Sequence, residues 1–354
     1  MVDRGVKGHP DPTVLVVDAI RPEPSTVAAA AAALEAGRLV AFPTETVYGL
    51  GASIARPDAV RRIFTVKGRP VTDPLIVHVA DLEGVRGVVS VVPEHARAVA
   101  EAFWPGPITL VLPKIPEVGE EVTAGGPSVA VRVPAHPVAE ALLRAVGTGV
   151  AAPSANRFGR ISPTDASHVI DDLGDRLDPG DVVLDAGPTP LGIESTVLDL
   201  TADRPVVLRH GGVPVEDLEA LLGPIDAPER QVVDEGAAAS APGSLLRHYS
   251  PLRPLALLEG DETLAGDLSD ALADRGIRVV VVDLPASSDR AAAELYRRLR
   301  TADAGDAQLL LAVARSPTGL GRGVNDRLFR AAHGRVVLDA RVETVDRLVA
   351  MVRG

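Results

Sequence analysis

Three parts of the sequence carry more hydroxyls, prolines and cations than a chain needs merely to turn. FPTETVYGLG, residues 42–51, follows an apolar strand and presents the Thr44 and Thr46 hydroxyls. It reads either as the lip of a pocket or as a Pro-containing strand end with a Thr/Glu turn. KGRPVTDPLIVHV, residues 67–79, sets Lys67 and Arg69 two apart on a loop stiffened by Pro70 and Pro74. Pre-positioned cations suit a polyphosphate, because their charge need not be reorganised on binding. A solvated basic turn is the commoner use of such a pair. His78 follows inside an apolar strand, where a lone His is more often a core residue than a ligand.

The third part is spread over SVAVRVP, APSANRFGRISPT, GIESTVLDL and LRHGG. Arg132 lies between Val131 and Val133 in a run that should be buried. A buried guanidinium needs an anion, either an internal carboxylate or a ligand. Ser154 and Asn156 follow a strand in a loop of small residues, where a hydroxyl and an amide can reach a nucleotide. Ser195 and Thr196 open a strand after Gly192, and Arg209 ends one. Ser and Thr at strand ends are usually turn formers. Their clustering at strand ends within one α/β unit is what favours a site.

The elements that must hold these residues alternate. TVLVVD, RLVAFPT, LIVHVA, ITLVLPK, SVAVRVP, GVAAPSA, VVLDAG, STVLDLT and PVVLRHG read as strands. STVAAAAAALEAG reads as a helix with Ser25 as N-cap and Gly37 as its stop, and PDAVRRIFTVKG as one with Pro57 in the first turn. PEHARAVAEAF and VPVEDLEALLG are further helices. Hairpin-like spacings mixed with helical crossovers predict a mixed sheet with helices over residues 13–223, after a loose tail at 1–12. Residues 224–253 are rich in Pro, Ala and Gly and read as a linker, except that LLRHYSP within them carries specific side chains. From 254 to 354 a second α/β pattern predicts a smaller Rossmann-like domain, with IRVVVVDLP as a buried strand. Its GLGRG lacks the spacing of a dinucleotide fingerprint.

Composition narrows the classes. There are 36 Lys and Arg against 48 Asp and Glu, a net charge of −12, which disfavours broad nucleic-acid binding. The absence of Cys removes disulfides, thiolate chemistry and Cys-ligated zinc. No apolar run is long enough to span a bilayer, and MVDRGVKGHPDP does not resemble a signal peptide, so a cytoplasmic location is expected. There is no GxxxxGK[ST], GxSxG or HExxH, so ATP, if bound, needs another scaffold.

Taken together, GRLVAFPTETVYGLG, KGRP with DPLIVHV, FWPGPITLVL, VAVRVP, APSAN with SPT, GIESTVLDL and LRHGG resemble the YrdC-like threonylcarbamoyl-AMP synthase family. APGSLLRHYSP and GVNDRLFRAA resemble its longer, two-domain branch. The resemblance implies an α/β fold: a mixed twisted sheet with helices, joined by a long linker to a Rossmann-like domain. It implies a nucleotidyltransferase that joins L-threonine, bicarbonate or CO2, and ATP into threonylcarbamoyl-AMP and pyrophosphate, for a downstream tRNA threonylcarbamoyl-transfer machinery. Thr46, His78, Arg132, Ala152 and Ser195 would bind threonine. Arg69, Asp73, Ser128, Ser154, Asn156, Ser162, Arg209 and Tyr249 would bind ATP. Lys67 and Arg69 would serve at the phosphates, with magnesium expected on the nucleotide. Tyr249 would make the linker a lid, and its truncation would cost activity without thermal stability. One departure is Asp73, where the family usually has Asn. An ionised Asp cannot donate a hydrogen bond and repels phosphate unless a cation offsets it or it approaches magnesium. Two rivals differ in class. One is a double-stranded-RNA-binding module, opposed by the acidic total. The other is a carbamoyl-transfer maturation enzyme, whose Cys-rich zinc modules this chain lacks.

Overall fold

The computed structural model describes residues 12–227 and 248–353, so Arg247 and most of the expected linker lie outside the described residues. The first unit is built on ten strands: β1 (Thr13–Val16), β2 (Val40–Pro43), β3 (Tyr48–Ser53), β4 (Ile76–His78), β5 (Ile108–Pro113), β6 (Ser128–Arg132), β7 (Val150–Ala151), β8 (Val182–Asp185), β9 (Thr196–Asp199) and β10 (Val206–Arg209). They form one sheet in the order β1-β8-β2-β3-β7-β4-β6-β5-β9-β10. β2 and β3 are antiparallel across the Thr44–Val47 turn, as are β9 and β10, whereas β1 with β8 and β4 with β6 are parallel. The mixed sheet expected from the spacing is therefore present.

Among the described residues eight helices accompany it: α1 (Pro24–Glu35), α2 (Pro57–Lys67), α3 (Leu82–Arg86), α4 (Glu94–Phe103), α5 (Glu120–Thr123), α6 (Pro137–Val146), α7 (Ala166–Leu173) and α8 (Val215–Leu222). Alternation along β2 explains the layering. Val40 and Phe42 join the core beneath α1 and α6, while Leu39 and Ala41 join the opposite core with α2, α4 and α7. Ser25 is not the N-cap of α1. Glu23 holds that place in extended backbone without a side-chain cap bond, and Pro24 takes the first helical position, where its missing N–H costs nothing. Gly37 does end the helix, with φ of 76°.

The second unit has β11 (Leu255–Leu258), β12 (Val279–Val281), β13 (Leu309–Val313) and β14 (Val336–Val337), all parallel, in the order β12-β13-β11-β14. α9 (Glu262–Ala273) and α12 (Val342–Arg353) cover one face, α10 (Ser288–Ala304) and α11 (Leu320–Ala331) the other. β12, expected to be buried, is half-exposed because it is an edge strand with one neighbour. The α10/α11 face docks on the first unit: Val47, Ile161 and Ile193 share a core with Tyr249, Leu295, Tyr296 and Val324. Arg300 on α10 pairs with Asp172 on α7 at 2.7 Å across the same junction.

Gly192 lets the backbones approach. Its φ is 78°, and a Cβ there would lie 2.5 Å from the Ala292 carbonyl oxygen on α10. Backbone cannot swing aside as a side-chain tip can. Gly192→Ala is therefore expected to destabilise the protein by about 2–4 kcal/mol. Equilibrium urea unfolding checks this, and an unchanged midpoint would mean that the junction opens without cost.

Candidate active site

One cleft collects residues from six places along the sheet and from the loop after α2. It is lined by Thr44, Thr46 and Val47 of the β2–β3 turn and by Arg69 after α2. His78 of β4 and Arg132 ending β6 follow, then Ala152 and Ser154 after β7, Glu194 and Ser195 before β9, and Arg209 ending β10. His248 and Tyr249 close it. All the tyrosines of the chain (Tyr48, Tyr249 and Tyr296) are fully buried.

On one side stands Arg132, 3% exposed. Its neighbour in register across β4 is His78. Arg132 donates to Thr46 Oγ1 at 3.0 Å and to the Gly106 carbonyl at 3.2 Å. Because Thr44 donates to the Val47 carbonyl at 2.7 Å, Thr46 is the donor in the 2.7 Å hydroxyl pair, giving a directed chain from Arg132 to Thr46 to Thr44. Arg132 Nη2 lies 2.8 Å from Glu45 Oε1, but among the described residues neither atom makes an aligned hydrogen bond. The internal carboxylate is thus near enough to balance the charge and leaves hydrogen-bonding capacity for a ligand.

Burial, reinforced by Arg132, pushes His78 down from 6.5 to about 3. The imidazole is neutral at physiological pH, and among the described residues Nδ1 has no hydrogen-bond partner. A folded-state value below the unfolded one gives stability that is full above about pH 6.5 and is lost as pH falls toward 3. The shift corresponds to about 4–5 kcal/mol at most. His78→Gln should therefore flatten the fall in urea midpoint between neutral and acid pH, the remaining slope belonging partly to buried His248. An unaltered slope would remove His78 from the acid response.

On the other side, Arg69 donates to the Pro74 carbonyl at 2.7 Å and contacts Asp73 Oδ1 at 2.8 Å, both side chains buried. Asp73 is thus offset by a cation, although burial still raises its pKa against the pull of Arg69. Arg209 donates to the Ser195 carbonyl at 2.9 Å and to Ser195 Oγ at 3.1 Å, and that hydroxyl pairs with Thr109 at 2.8 Å.

Asp73 and four other expected residues do not line the cleft. Lys67 is 2% exposed, and its ammonium is held by the Ser154 carbonyl at 2.6 Å and by the Asn156 carbonyl. Burial drives its pKa well below the usual lysine range. Its place is beneath the loop, as a tie, rather than in the cleft. Asn156 is locked with it, accepting from Ser154 Oγ at 2.6 Å and donating to the Arg160 carbonyl at 2.7 Å. Ser162 donates to Glu194 at 2.5 Å and so reaches the cleft through that carboxylate. Ser128 opens β6, at the other end of the strand from Arg132.

The residue that sequence reasoning missed is Glu194. It is buried, and it accepts from Tyr296 Oη at 2.8 Å and from Arg327 Nε at 2.9 Å, both from the second unit. Its signal was a carboxylate between Ile193 and the apolar run of β9, the same oddity that marked Arg132. Tyr249 also departs from expectation. It is fully buried, at φ 60°, stacked on Tyr296 at 5.7 Å with His248 edge-on at 4.1 Å. Packing must hold that left-handed backbone in place. The next residue, Ser250, donates its N–H to the Gly159 carbonyl at 2.7 Å.

The cleft is narrow, about 40 Å³. A nucleotide site needs several hundred. Among the described residues no three His, Asp or Glu side chains group as metal ligands, and Asp73 and Glu194 are already committed to arginines. These residues do not fit a protein-held magnesium ion. Among the described residues no helix is long and apolar enough to cross a membrane.

Comparison with known proteins bears on the same residues. The Sua5/YciO/YrdC family, described as "Telomere recombination", matches residues 32–211, and "Threonylcarbamoyl-AMP synthase, C-terminal domain" matches residues 213–333. The threonylcarbamoyl-AMP synthase of Bacillus subtilis is 40% identical over 91% of this chain and 97% of its own length. A putative threonylcarbamoyl-AMP synthase of Mycobacterium tuberculosis is 40% identical over 57% of this chain and 90% of its own. The crystal structure of Pyrococcus abyssi Sua5 complexed with L-threonine shares 38% identity and a TM-score of 0.86, covering 92% of this chain and 99% of that one.

Proposed function

The chain belongs to the Sua5/YciO/YrdC family and carries the C-terminal domain of threonylcarbamoyl-AMP synthases, and from that premise we propose that its cleft makes threonylcarbamoyl-AMP from L-threonine, bicarbonate or CO2, and ATP. Threonine's nitrogen forms a bond to the CO2 carbon and loses a proton, giving a carbamate. A carbamate oxygen then attacks the α-phosphorus, and the α–β bridging bond breaks to release pyrophosphate. This is nucleotidyl transfer, and the product would feed the N6-threonylcarbamoyladenosine modification of tRNA in the cytoplasm.

The observation that carries the reading is the pair of buried cationic poles in one cleft, Arg132 on one side and Arg69 with Arg209 on the other. A carboxylate and a triphosphate must be held together for this reaction, and fixed charge does that without reorganisation. Arg132 would take the threonine carboxylate, with Thr46, neutral His78, Ala152 and Ser195 around the rest. Arg69, Ser154, Arg209 and Tyr249 would meet the nucleotide, with Asp73, Asn156, Ser162 and Lys67 holding those groups in place. Magnesium would arrive with the phosphates. The 40 Å³ cleft would have to widen to admit ATP, and movement of the His248–Tyr249 strap that lines it would supply the room. Residues 224–253 would thus act as a lid between units at 13–223 and 254–354, shielding the labile carbamate and adenylate from water.

The test is pyrophosphate release with each substrate withheld in turn. Release should require threonine, bicarbonate and ATP together. Orthophosphate as the product, or release without threonine, would overturn the reading.

A further inference from the structure

We propose that Arg327, in the second unit, is a positioning residue for the nucleotide side of the cleft, acting through Glu194 and the Tyr249 ring. Arg327 sits on α11 and is 0% exposed, the largest fully buried side chain among the described residues. It donates to Glu194 Oε2 at 2.9 Å, to the His210 carbonyl, and to Asp326 at 3.0 Å. Its guanidinium carbon stands 5.2 Å from the centre of the Tyr249 ring, within cation–π range. Tyr296 Oη adds a second bond to the same Glu194 oxygen, and Ser162 takes the other oxygen.

The arrangement has a consequence for the cleft. Glu194 lines it beside Ser195, which receives Arg209. Burial pushes the Glu194 carboxyl up, but Arg327 and then Arg209 outweigh it, so the group is ionised. Without Arg327, a buried carboxylate would have Arg209 as its nearest cationic partner or would face the phosphates uncompensated. Either result weakens ATP and leaves Arg132, on the other wall, untouched. The second unit thus completes the nucleotide half of the cleft. Gly323 on the same helix stands against Gly211, where a Cβ would lie 3.4 Å from the Gly211 Cα. That close approach is what allows a helix of one unit to reach a carboxylate of the other.

The proposal rests on the cleft binding ATP, so the test reads binding rather than turnover. ATP and threonine affinities are measured by titration calorimetry for the intact chain, Arg327→Met, Arg327→Lys and the Arg327→Met/Glu194→Gln pair, each with its melting curve. Arg327→Met should weaken ATP tenfold or more while threonine stays within about twofold. The double variant should regain most of that loss, because a neutral amide needs no counter-charge. Arg327→Lys should fall between, and it carries the test if Arg327→Met does not melt cooperatively. Equal losses for both ligands, or no recovery in the double variant, would overturn the proposal. An intact chain that binds ATP yet forms no adenylate would contradict the functional reading alone.

Discussion

Replacing Arg132 with Met should raise the threonine concentration needed for half-maximal rate by roughly thirtyfold or more, with a far smaller change for ATP. The loss of one partner of a buried charge-assisted contact costs about 2–5 kcal/mol. Met retains most of the stem packing, so the effect would not come from a void. Glu45 would be left 8% exposed with no cation at 2.8 Å, and the directed chain through Thr46 and Thr44 would lose its donor. Initial rates against each substrate check the outcome. Equal effects on threonine and ATP would make Arg132 a framework residue.

Tyr249→Ala should cost about 3–5 kcal/mol of stability, because it empties a fully buried aromatic site at the junction of the two units. The sequence alone suggested a lid residue whose truncation lowers activity without loss of thermal stability. Its stacking on Tyr296 and its contact with Arg327 are the reason for expecting a loss of stability instead. Tyr249→Phe separates packing from ligand contact. The Oη has no hydrogen-bond partner among the described residues, so losing it should leave the urea midpoint within about 0.5 kcal/mol of wild type. If the hydroxyl serves the nucleotide, Tyr249→Phe weakens ATP at unchanged stability. Equal ATP affinity in the two proteins would confine Tyr249 to packing.

What was legible in the sequence followed from local pattern. Apolar runs such as RLVAFPT and SVAVRVP marked their strands, and Gly37 marked its helix end, because these depend on neighbours close in the chain. Arg132 was legible as a buried charge for the same reason. That Lys67 bonds backbone and does not line the cleft was not legible, because its partners, the carbonyls of Ser154 and Asn156, are 87 and 89 positions away. Nothing in KGRP distinguishes an ammonium that meets phosphate from one that meets backbone. The Glu194 network was invisible for a sharper version of that reason. Its members Ser162, Tyr296 and Arg327 come from a loop of one unit and two helices of the other. In GVNDRLFRAA, Arg327 shares the buried stripe of Val324, Leu328 and Ala331, so a charge on an apolar helix face was the available sign. The half-exposed β12 shows the same limit, since an apolar run does not say whether one neighbour or two will cover it.

The central claim is adenylation of a threonine carbamate. Its most direct test is mass spectrometry of a reaction holding threonine, ATP and isotope-labelled bicarbonate. The account predicts a threonine–AMP adduct that carries one labelled carbon, formed in step with pyrophosphate. ADP with orthophosphate, or an adduct without the label, would contradict it.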